Sequence, residues 1–273
     1  MNELMDFSRL SLNQITTQRL NLRKAAELCV RHGIPAIGVW RDKVCEIGLS
    51  KSVKTIRDAG VKVSSLCRGG FFPASSSEER FKKINDNLRA IDEASELGTN
   101  LLVLVCGGLN DCEIGDARKM IADGIAAIST HAAAAGIKLG IEPLHPMFAA
   151  DRSVICTLRE ANNLAETFAP EVVGVIVDVF HVWWDANVYL EIERANKRIL
   201  GFHVSDWSVP LPDILLSRSM MGDGVITLRR LRRAVENVGY SGPIEVEIFN
   251  QGIWDGNPDE VLNLIKDRYL TCV

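Results

Sequence analysis

The stretch VGVIVDVFHVWWD, residues 173–185, decides how the rest of the chain is interpreted. Its first half is almost wholly apolar and rich in β-branched residues, which is typical of a strand buried on both faces of a parallel sheet. The strand ends on a carboxylate, Asp178, and an imidazole follows three residues later at His181. Because an unpaired charge is costly to remove from water, Asp178 needs a cation or a ligand. The D-x-x-H pair alone leaves a structural and a functional role open.

Composition indicates an α/β domain with no nucleic-acid or membrane partner. The chain has 273 residues, and a single α/β barrel typically has ~250. The formal net charge is −4, and the longest basic run is RRLRR at 229–233, which argues against nucleic-acid binding. Residues 1–10 do not resemble a signal peptide, and the longest apolar run, 101–106, is too short for a membrane span. The seven scattered cysteines favour reduced thiols, so we expect a cytoplasmic protein.

Strand and helix patterns alternate along the whole chain. Predicted strands lie at 7–15, 34–40, 61–66, 99–105, 137–142, 172–178, 199–205 and 243–249. Predicted helices lie at 20–31, 50–59, 77–97, 116–135, 154–168, 189–197, 228–238 and 258–269. Several helices are followed by a glycine, the usual left-handed cap. Eight such units predict an α/β fold, a single (β/α)8 TIM barrel over residues 1–273. A doubly wound sheet is the alternative, but no G-x-G-x-x-G turn opens a helix.

Four consecutive predicted strands, the fifth to the eighth, carry Glu142, Asp178, His203 and Glu247 at or near their carboxyl ends. In a barrel these ends build the active site, so we expect the four side chains to converge. Separate buried ion pairs are the alternative. Three carboxylates at one mouth would repel each other unless a cation sat between them. Oxygen ligands with one imidazole suit Mn²⁺ or Mg²⁺ best, with Zn²⁺ and Co²⁺ as further candidates, so one divalent metal ion is predicted.

Aromatic and polar residues just beyond the strand ends are candidates for a substrate pocket. Trp40 and Trp254 follow the second and eighth predicted strands, and Trp183 follows the sixth. Aromatic faces pack on the C–H groups of sugars, so we assign these three tryptophans to substrate binding. His145 comes soon after the fifth strand and is also expected near the substrate. Asp206, just after the seventh strand, is not expected to bind the metal itself but to orient one of its ligands by a hydrogen bond.

Five short motifs in the second half of the chain resemble one known family. They are IEP at 141–143, D-x-x-H at 178–181, HVSD at 203–206, R-x-x-x-G-x-G at 218–224 and Y-x-G-x-I-x-x-E at 240–247. The chain resembles the xylose isomerase-like TIM barrels, the sugar phosphate isomerase/epimerase group that includes ketose 3-epimerases, hydroxypyruvate isomerase and inosose dehydratase. The resemblance implies that the four strand-end residues bind one divalent metal ion. It also implies that His181 and Arg218 contact the sugar.

The chemistry of the strand-end residues agrees with that resemblance. A divalent ion bound there can act as a Lewis acid on the carbonyl and adjacent hydroxyl of a ketose, stabilising the enediolate. Glu142 and Glu247 can then accept and donate the proton at the adjacent carbon. The predicted function is a metal-dependent isomerase or epimerase of a small sugar. A lyase or dehydratase acting on an inosose or a 3-keto sugar would use the same site.

Two other classes of protein are disfavoured by the sequence. An endonuclease IV-like repair enzyme would need a histidine-rich trinuclear zinc site and a basic face, whereas this chain has five histidines and an acidic balance. A non-catalytic sugar-binding barrel would not need the metal ligands. The expected partner is therefore a small sugar or cyclitol, and the long loops after the seventh and eighth strands could meet another subunit in a homo-oligomer.

The same two loops predict a substrate without phosphate. Barrel enzymes usually hold a phosphate with the loops after strands seven and eight, using helix-start amides and often a cation. Residues 249–260 carry three acids and neither lysine nor arginine, and the preceding loop offers Arg218 beside Asp213 and Asp223. One cation among acids is a poor phosphate clamp, so a neutral, unphosphorylated sugar or cyclitol is expected.

Overall fold

Eight parallel strands close into a barrel within residues 3–273, the part of the chain that the computed structural model describes. In chain order the barrel strands are β1 Leu10–Asn13, β2 Ala36–Trp40, β3 Lys62–Gly70, β4 Leu101–Val105, β5 Lys138–Glu142, β6 Val173–Asp178, β7 Ile199–Val204 and β10 Ile244–Val246. β10 pairs with both β1 and β7, which closes the sheet. Two further strands, β8 Asp206–Trp207 and β9 Arg218–Ser219, form a separate antiparallel pair. The predicted (β/α)8 barrel is confirmed.

Helices follow the strands and surround the barrel. They are α1 Leu22–His32, α2 Arg41–Ile47, α3 Leu49–Ala59, α4 Ser77–Leu97, α5 Ile114–Ala135, α6 Leu158–Ala165, α7 Val179–Val182, α8 Val188–Ala195, α9 Leu228–Asn237, α10 Gln251–Asp255 and α11 Pro258–Cys272. Their ends follow local sequence signals. The Ser76 side chain accepts a hydrogen bond from Glu79 N at the start of α4, and Gly98 ends that helix with φ 78°. No helix of the described chain is long and apolar enough to cross a membrane.

Two glycines make room for one buried isoleucine in the barrel interior. Ile176 of β6 is fully buried and packs with Leu101 and Val103. A Cβ atom added at Gly140 would lie 2.6 Å from Ile176 Cδ1, and one added at Gly201 would lie 2.9 Å from the same atom. Side chains larger than hydrogen would therefore displace Ile176. This layer lies below the residues that end β5, β6 and β7, so those residues project into the barrel mouth.

Several element boundaries differ from the sequence patterns. Helices α2, α7 and α10 were not predicted, because four to seven residues are too few to show a helical period. Helix α6 begins at Leu158 and not at 154, since Thr157 forms a capping box with Glu160. Strand β3 continues to Gly70, beyond the predicted end at 66. This last difference adds residues to the carboxyl end of the barrel.

Candidate active site

Four side chains that could hold a metal ion meet at the carboxyl end of the barrel. Glu142, Asp178, His203 and Glu247 are all buried, and one ligand atom from each lies within 4.8 Å of the others. The first three belong to β5, β6 and β7, and Glu247 directly follows β10. These strands are neighbours in the order β10-β7-β6-β5, so the two glutamates stand at the two outer positions of the cluster. Parallel pairing of adjacent strands thus brings together residues that are far apart in sequence.

The D-x-x-H motif has a simple structural explanation. Asp178 caps α7, and its Oδ1 atom accepts a hydrogen bond from Phe180 N at 2.9 Å. One helical turn later, His181 is buried with its Nε2 atom 3.7 Å from Asp178 Oδ2. Asp178 therefore fixes the helix that carries His181, while its second oxygen remains directed into the cluster.

The buried imidazole of His203 is surrounded by carboxylate groups. Its Nδ1 atom is 3.2 Å from Glu142 Oε1 and 3.6 Å from Glu247 Oε2. Yet neither ring nitrogen, nor Glu142 Oε1, has a hydrogen-bond partner anywhere in residues 3–273. Burial lowers the pKa of His203, but Glu245 and the cluster glutamates outweigh it and raise this pKa well above its usual value. Unpartnered lone pairs on carboxylates and one imidazole form a donor set that fits a divalent metal ion.

The two outer glutamates have opposite pKa shifts. Burial raises the pKa of Glu142, and nearby His203 only partly opposes this rise. Burial also favours the neutral form of Glu247, but the charge of Arg218, together with His203, outweighs it and lowers the pKa. Two carboxyl groups whose environments drive their pKa values apart are suited to exchange a proton in opposite directions.

Arg218 enters the cluster from the β8–β9 pair. Its Nη1 atom donates to Asp178 Oδ2 at 2.8 Å and to Glu247 Oε2 at 3.2 Å. The guanidinium lies between the rings of Phe180 and Phe249, at 4.6 and 5.0 Å from their centroids. Its backbone is also fixed, because Arg218 N donates to Phe249 O at 3.0 Å. Arg218 is therefore a buried, oriented cation beside two of the four cluster residues.

Asp206 organises the loop that carries Arg218. Its carboxylate accepts hydrogen bonds from the backbone N–H groups of Trp207, Gly222 and Ile226. A Cβ atom at Gly224 would lie 2.4 Å from Asp206 Oδ1, which explains the last glycine of the R-x-x-x-G-x-G motif. From the sequence, Asp206 was expected to support a metal ligand. Its hydrogen bonds in the described chain go to backbone N–H groups instead, two of them in the segment that follows β9.

The cluster opens into a cavity at the barrel mouth. Of the six residues predicted to bind substrate, Trp40, His181 and Arg218 line this cavity. The other three do not belong to its lining, which also contains Cys67, Arg68, Val103, Val105, Glu142, Leu144, Phe148, Arg152, Leu215, Glu247 and Phe249.

The three remaining candidates lie outside the cavity lining for identifiable reasons. Trp254 on α10 lines a separate pocket with Thr16 and Arg19. Trp183 lies against Trp207 at 5.4 Å between ring centroids. His145 stacks beside the same Trp207 ring at 5.0 Å. The turns after β5 and β6 thus direct both side chains toward the β8–β9 pair and not toward the cavity.

The backbone N–H of His145 orients the ring of His181, which lines the cavity. This N–H donates to His181 Nδ1 at 3.1 Å, which places the proton of the neutral imidazole on Nε2. Burial lowers the pKa of His181 to about 3, so the ring is neutral. The Nε2 atom lies within hydrogen-bond distance of Arg218 Nη2, at 3.0 Å.

Two arginines of the cavity were missed by the sequence analysis. Arg68 belongs to β3, beyond the point where the predicted strand ended. Extending that strand would have placed a charged residue at its carboxyl end, the same signal that identified the four cluster residues. Arg152 lies in the segment that follows β5, and no local pattern marks it. Both residues line the cavity.

Comparison with known proteins identifies the family. A family model described as Xylose isomerase-like TIM barrel matches residues 24–268, and the chain belongs to this family, which confirms the resemblance drawn from the motifs. Relatives in the family are named as isomerases, epimerases and dehydratases of small molecules.

Individual relatives cover the chain to different extents. The chain is 22% identical over 278 residues to an inosose isomerase of Halalkalibacterium halodurans, a match covering 97% of the chain and 96% of the relative. It is 27% identical over 206 residues to a 3-dehydroshikimate dehydratase of Pseudomonas putida, covering 71% of the chain but only 30% of that protein.

Solved structures share the whole fold. A crystal structure of a Sinorhizobium meliloti 1021 protein is 48% identical, with a TM-score of 0.95 and coverage of 98% of this chain and 99% of that one. The crystal structure of the IolI protein with a bound zinc atom is 21% identical, with a TM-score of 0.82 and coverage of 96% and 97%.

Proposed function

We propose that this chain is a divalent-metal-dependent isomerase or epimerase of a small, unphosphorylated polyhydroxy ketone. The observation that carries the proposal is the buried cluster of Glu142, Asp178, His203 and Glu247, whose ligand atoms lie within 4.8 Å of one another. These four residues would hold the ion, and Mn²⁺ or Mg²⁺ suits them best because three of the four are carboxylates. The zinc bound in the structure of IolI keeps Zn²⁺ as a second candidate. When bound, such an ion supplies Lewis-acid polarisation of a carbonyl.

Proton transfer is assigned to the two outer glutamates. Glu247, whose pKa is lowered, is ionised and can accept a proton from the carbon beside the carbonyl. Glu142, whose pKa is raised, can hold a proton and return it. Because the two glutamates stand on opposite sides of the four-strand run, they can address opposite faces of one carbon. That arrangement supports epimerisation as well as isomerisation.

Substrate orientation is assigned to His181 and Arg218. Both side chains line the cavity, and His181 Nε2 lies 3.0 Å from Arg218 Nη2, so their polar edges face the same region of the cavity. A hydroxyl or carbonyl oxygen of the substrate could accept from both donors. The side wall formed by Trp40 would contact the apolar face of the sugar.

The test is solvent deuterium incorporation into a panel of free ketoses and inososes, with protein loaded with Mn²⁺. Wild-type protein should exchange the proton beside the carbonyl of at least one compound. Glu142→Gln and Glu247→Gln should each lower kcat at least about 100-fold, because general acid–base catalysis contributes ~10²–10⁴-fold. Glu96→Gln, at an exposed position of α4, is the matched control and should keep full activity. Either cluster variant retaining more than about a hundredth of wild-type kcat would refute the proton-transfer roles.

A dehydratase acting at the same site is the second candidate, favoured by the similarity to a 3-dehydroshikimate dehydratase. Proton removal beside a carbonyl is the first step of both reactions, and loss of a β-hydroxyl group would complete the elimination. Mass spectrometry of the same reactions separates them, because elimination loses water and yields an unsaturated product that absorbs ultraviolet light, whereas epimerisation loses no water and exchanges only hydrogen for deuterium.

A further inference from the structure

Two arginines that line the cavity, Arg68 and Arg152, form no ion pair with the four cluster residues in the described chain. Arg68 has neither an ion pair nor a hydrogen bond from its side chain within residues 3–273. Arg152 has only Asp151, whose Oδ2 atom is 3.7 Å from Nε and whose side chain is 67% exposed. Arg218, by contrast, is paired with cluster carboxylates. The charges of Arg68 and Arg152 are therefore available to a ligand.

Aromatic rings hold both guanidinium groups in place. Arg68 lies over the Phe71 ring at 4.7 Å and over the Trp40 ring at 5.4 Å. Arg152 lies over the Phe148 ring at 5.6 Å. Stacking on a ring occupies the face of a guanidinium but leaves the N–H donors at its edge free. Phe71 adopts φ 53°, a conformation uncommon for a non-glycine residue, at the point where its ring meets Arg68.

The two like charges also disfavour each other. Burial lowers the pKa of Arg68, and the charge of Arg152 lowers it further. An anion between the two guanidinium groups would remove this repulsion and replace the water that burial takes away.

We propose that Arg68 and Arg152 bind a carboxylate group of the substrate, which makes the substrate a polyhydroxy keto acid. This inference rests on the proposed function, since it places the reacting carbonyl at the cluster and the acid group at the two arginines of the same cavity. A planar carboxylate matches the fork of donors at the edge of a guanidinium. Phosphate sites of barrels use helix-start amides after strands seven and eight, whereas these arginines come from β3 and the segment after β5.

The sequence predicted a neutral substrate because only the charges in the loops after the seventh and eighth predicted strands were considered. Arg68 and Arg152 lie elsewhere in the chain, so the absence of a phosphate clamp and the presence of a carboxylate site are compatible. The substrate remains unphosphorylated but carries one negative charge.

Three matched ketoses test the proposal by isothermal calorimetry on metal-loaded protein. They are D-fructose, D-fructuronate and D-fructose 6-phosphate, which differ only at the sixth carbon. D-fructuronate should bind at least about tenfold more tightly than D-fructose, because a hydrogen bond to a charged group contributes about 1.5–3 kcal/mol. Equal affinity of these two ligands, or absence of binding by D-fructuronate, would overturn the proposal. If D-fructose 6-phosphate binds more tightly than D-fructuronate, the site prefers a phosphate to a carboxylate, and the proposal is overturned as well.

Variants locate the binding site. Arg68→Gln and Arg152→Gln should each remove most of the advantage of D-fructuronate over D-fructose while leaving the metal content unchanged. Arg89→Gln is the matched control, since its side chain is 71% exposed on α4. An advantage that survives both cavity variants would place the carboxylate elsewhere. If a variant does not fold, the wild-type comparison of the three ligands still decides.

The binding result does not depend on turnover. Tight D-fructuronate binding without any proton exchange in the panel would contradict the proposed function but keep the anion site. Proton exchange on neutral ketoses without a preference for D-fructuronate would contradict only the anion site.

Discussion

Asn13 is hydrogen-bonded both to Glu245 and to Trp40, which lines the cavity. Its replacement by alanine should be strongly destabilising. Asn13 Nδ2 donates to Glu245 Oε1 at 2.6 Å, and Asn13 Oδ1 accepts from Trp40 Nε1 at 2.7 Å. Asn13 is 0% exposed and Glu245 is 2% exposed, so water does not readily replace either bond. Losing a hydrogen bond to a charged group costs about 1.5–3 kcal/mol, and losing a neutral one costs about 0.5–1.5 kcal/mol. We expect Asn13→Ala to lower the free energy of unfolding by about 3 kcal/mol.

Urea denaturation followed by circular dichroism measures this loss as a shift of the midpoint at unchanged slope. Asn237→Ala is the matched control, because Asn237 is exposed at the end of α9 and should change the free energy of unfolding by less than about 0.5 kcal/mol. Metal content should be unaffected in both variants, since Asn13 is not one of the four cluster residues. A loss below about 1 kcal/mol for Asn13→Ala would show that Glu245 and Trp40 find other partners, and the reasoning would fail.

Two further predictions concern the same end of the barrel. In the same denaturation assay, Gly38→Ala should lower the free energy of unfolding by about 1–3 kcal/mol, because the new Cβ atom would lie 2.1 Å from Glu245 Oε1. A variant as stable as wild type would show that the Glu245 carboxylate can move to make room. His181→Asn should keep stoichiometric metal by elemental analysis but lose about 10- to 100-fold in kcat/KM, because it removes one substrate hydrogen bond; loss of the metal would instead make His181 a ligand.

Local sequence by itself determined the barrel and the four converging residues. Strand and helix periods are set by neighbouring residues, and glycine caps such as Gly98 end helices where the pattern ends. Once the barrel is inferred, all strand ends lie at one mouth, so Glu142 and Asp178 can be brought together without coordinates. The same logic missed Arg68, because the predicted third strand stopped at 66 and the strand continues to Gly70.

Only the tertiary structure decided what surrounds those residues. Asn13 and Arg218 owe their contacts to loops and strands that are distant in sequence, and no periodic pattern encodes such contacts. The direction of each loop after a strand likewise decided that Trp40 lines the cavity while Trp254 does not. A side chain at a strand end is constrained by the pleat, whereas a side chain in a loop is directed by whatever the loop packs against.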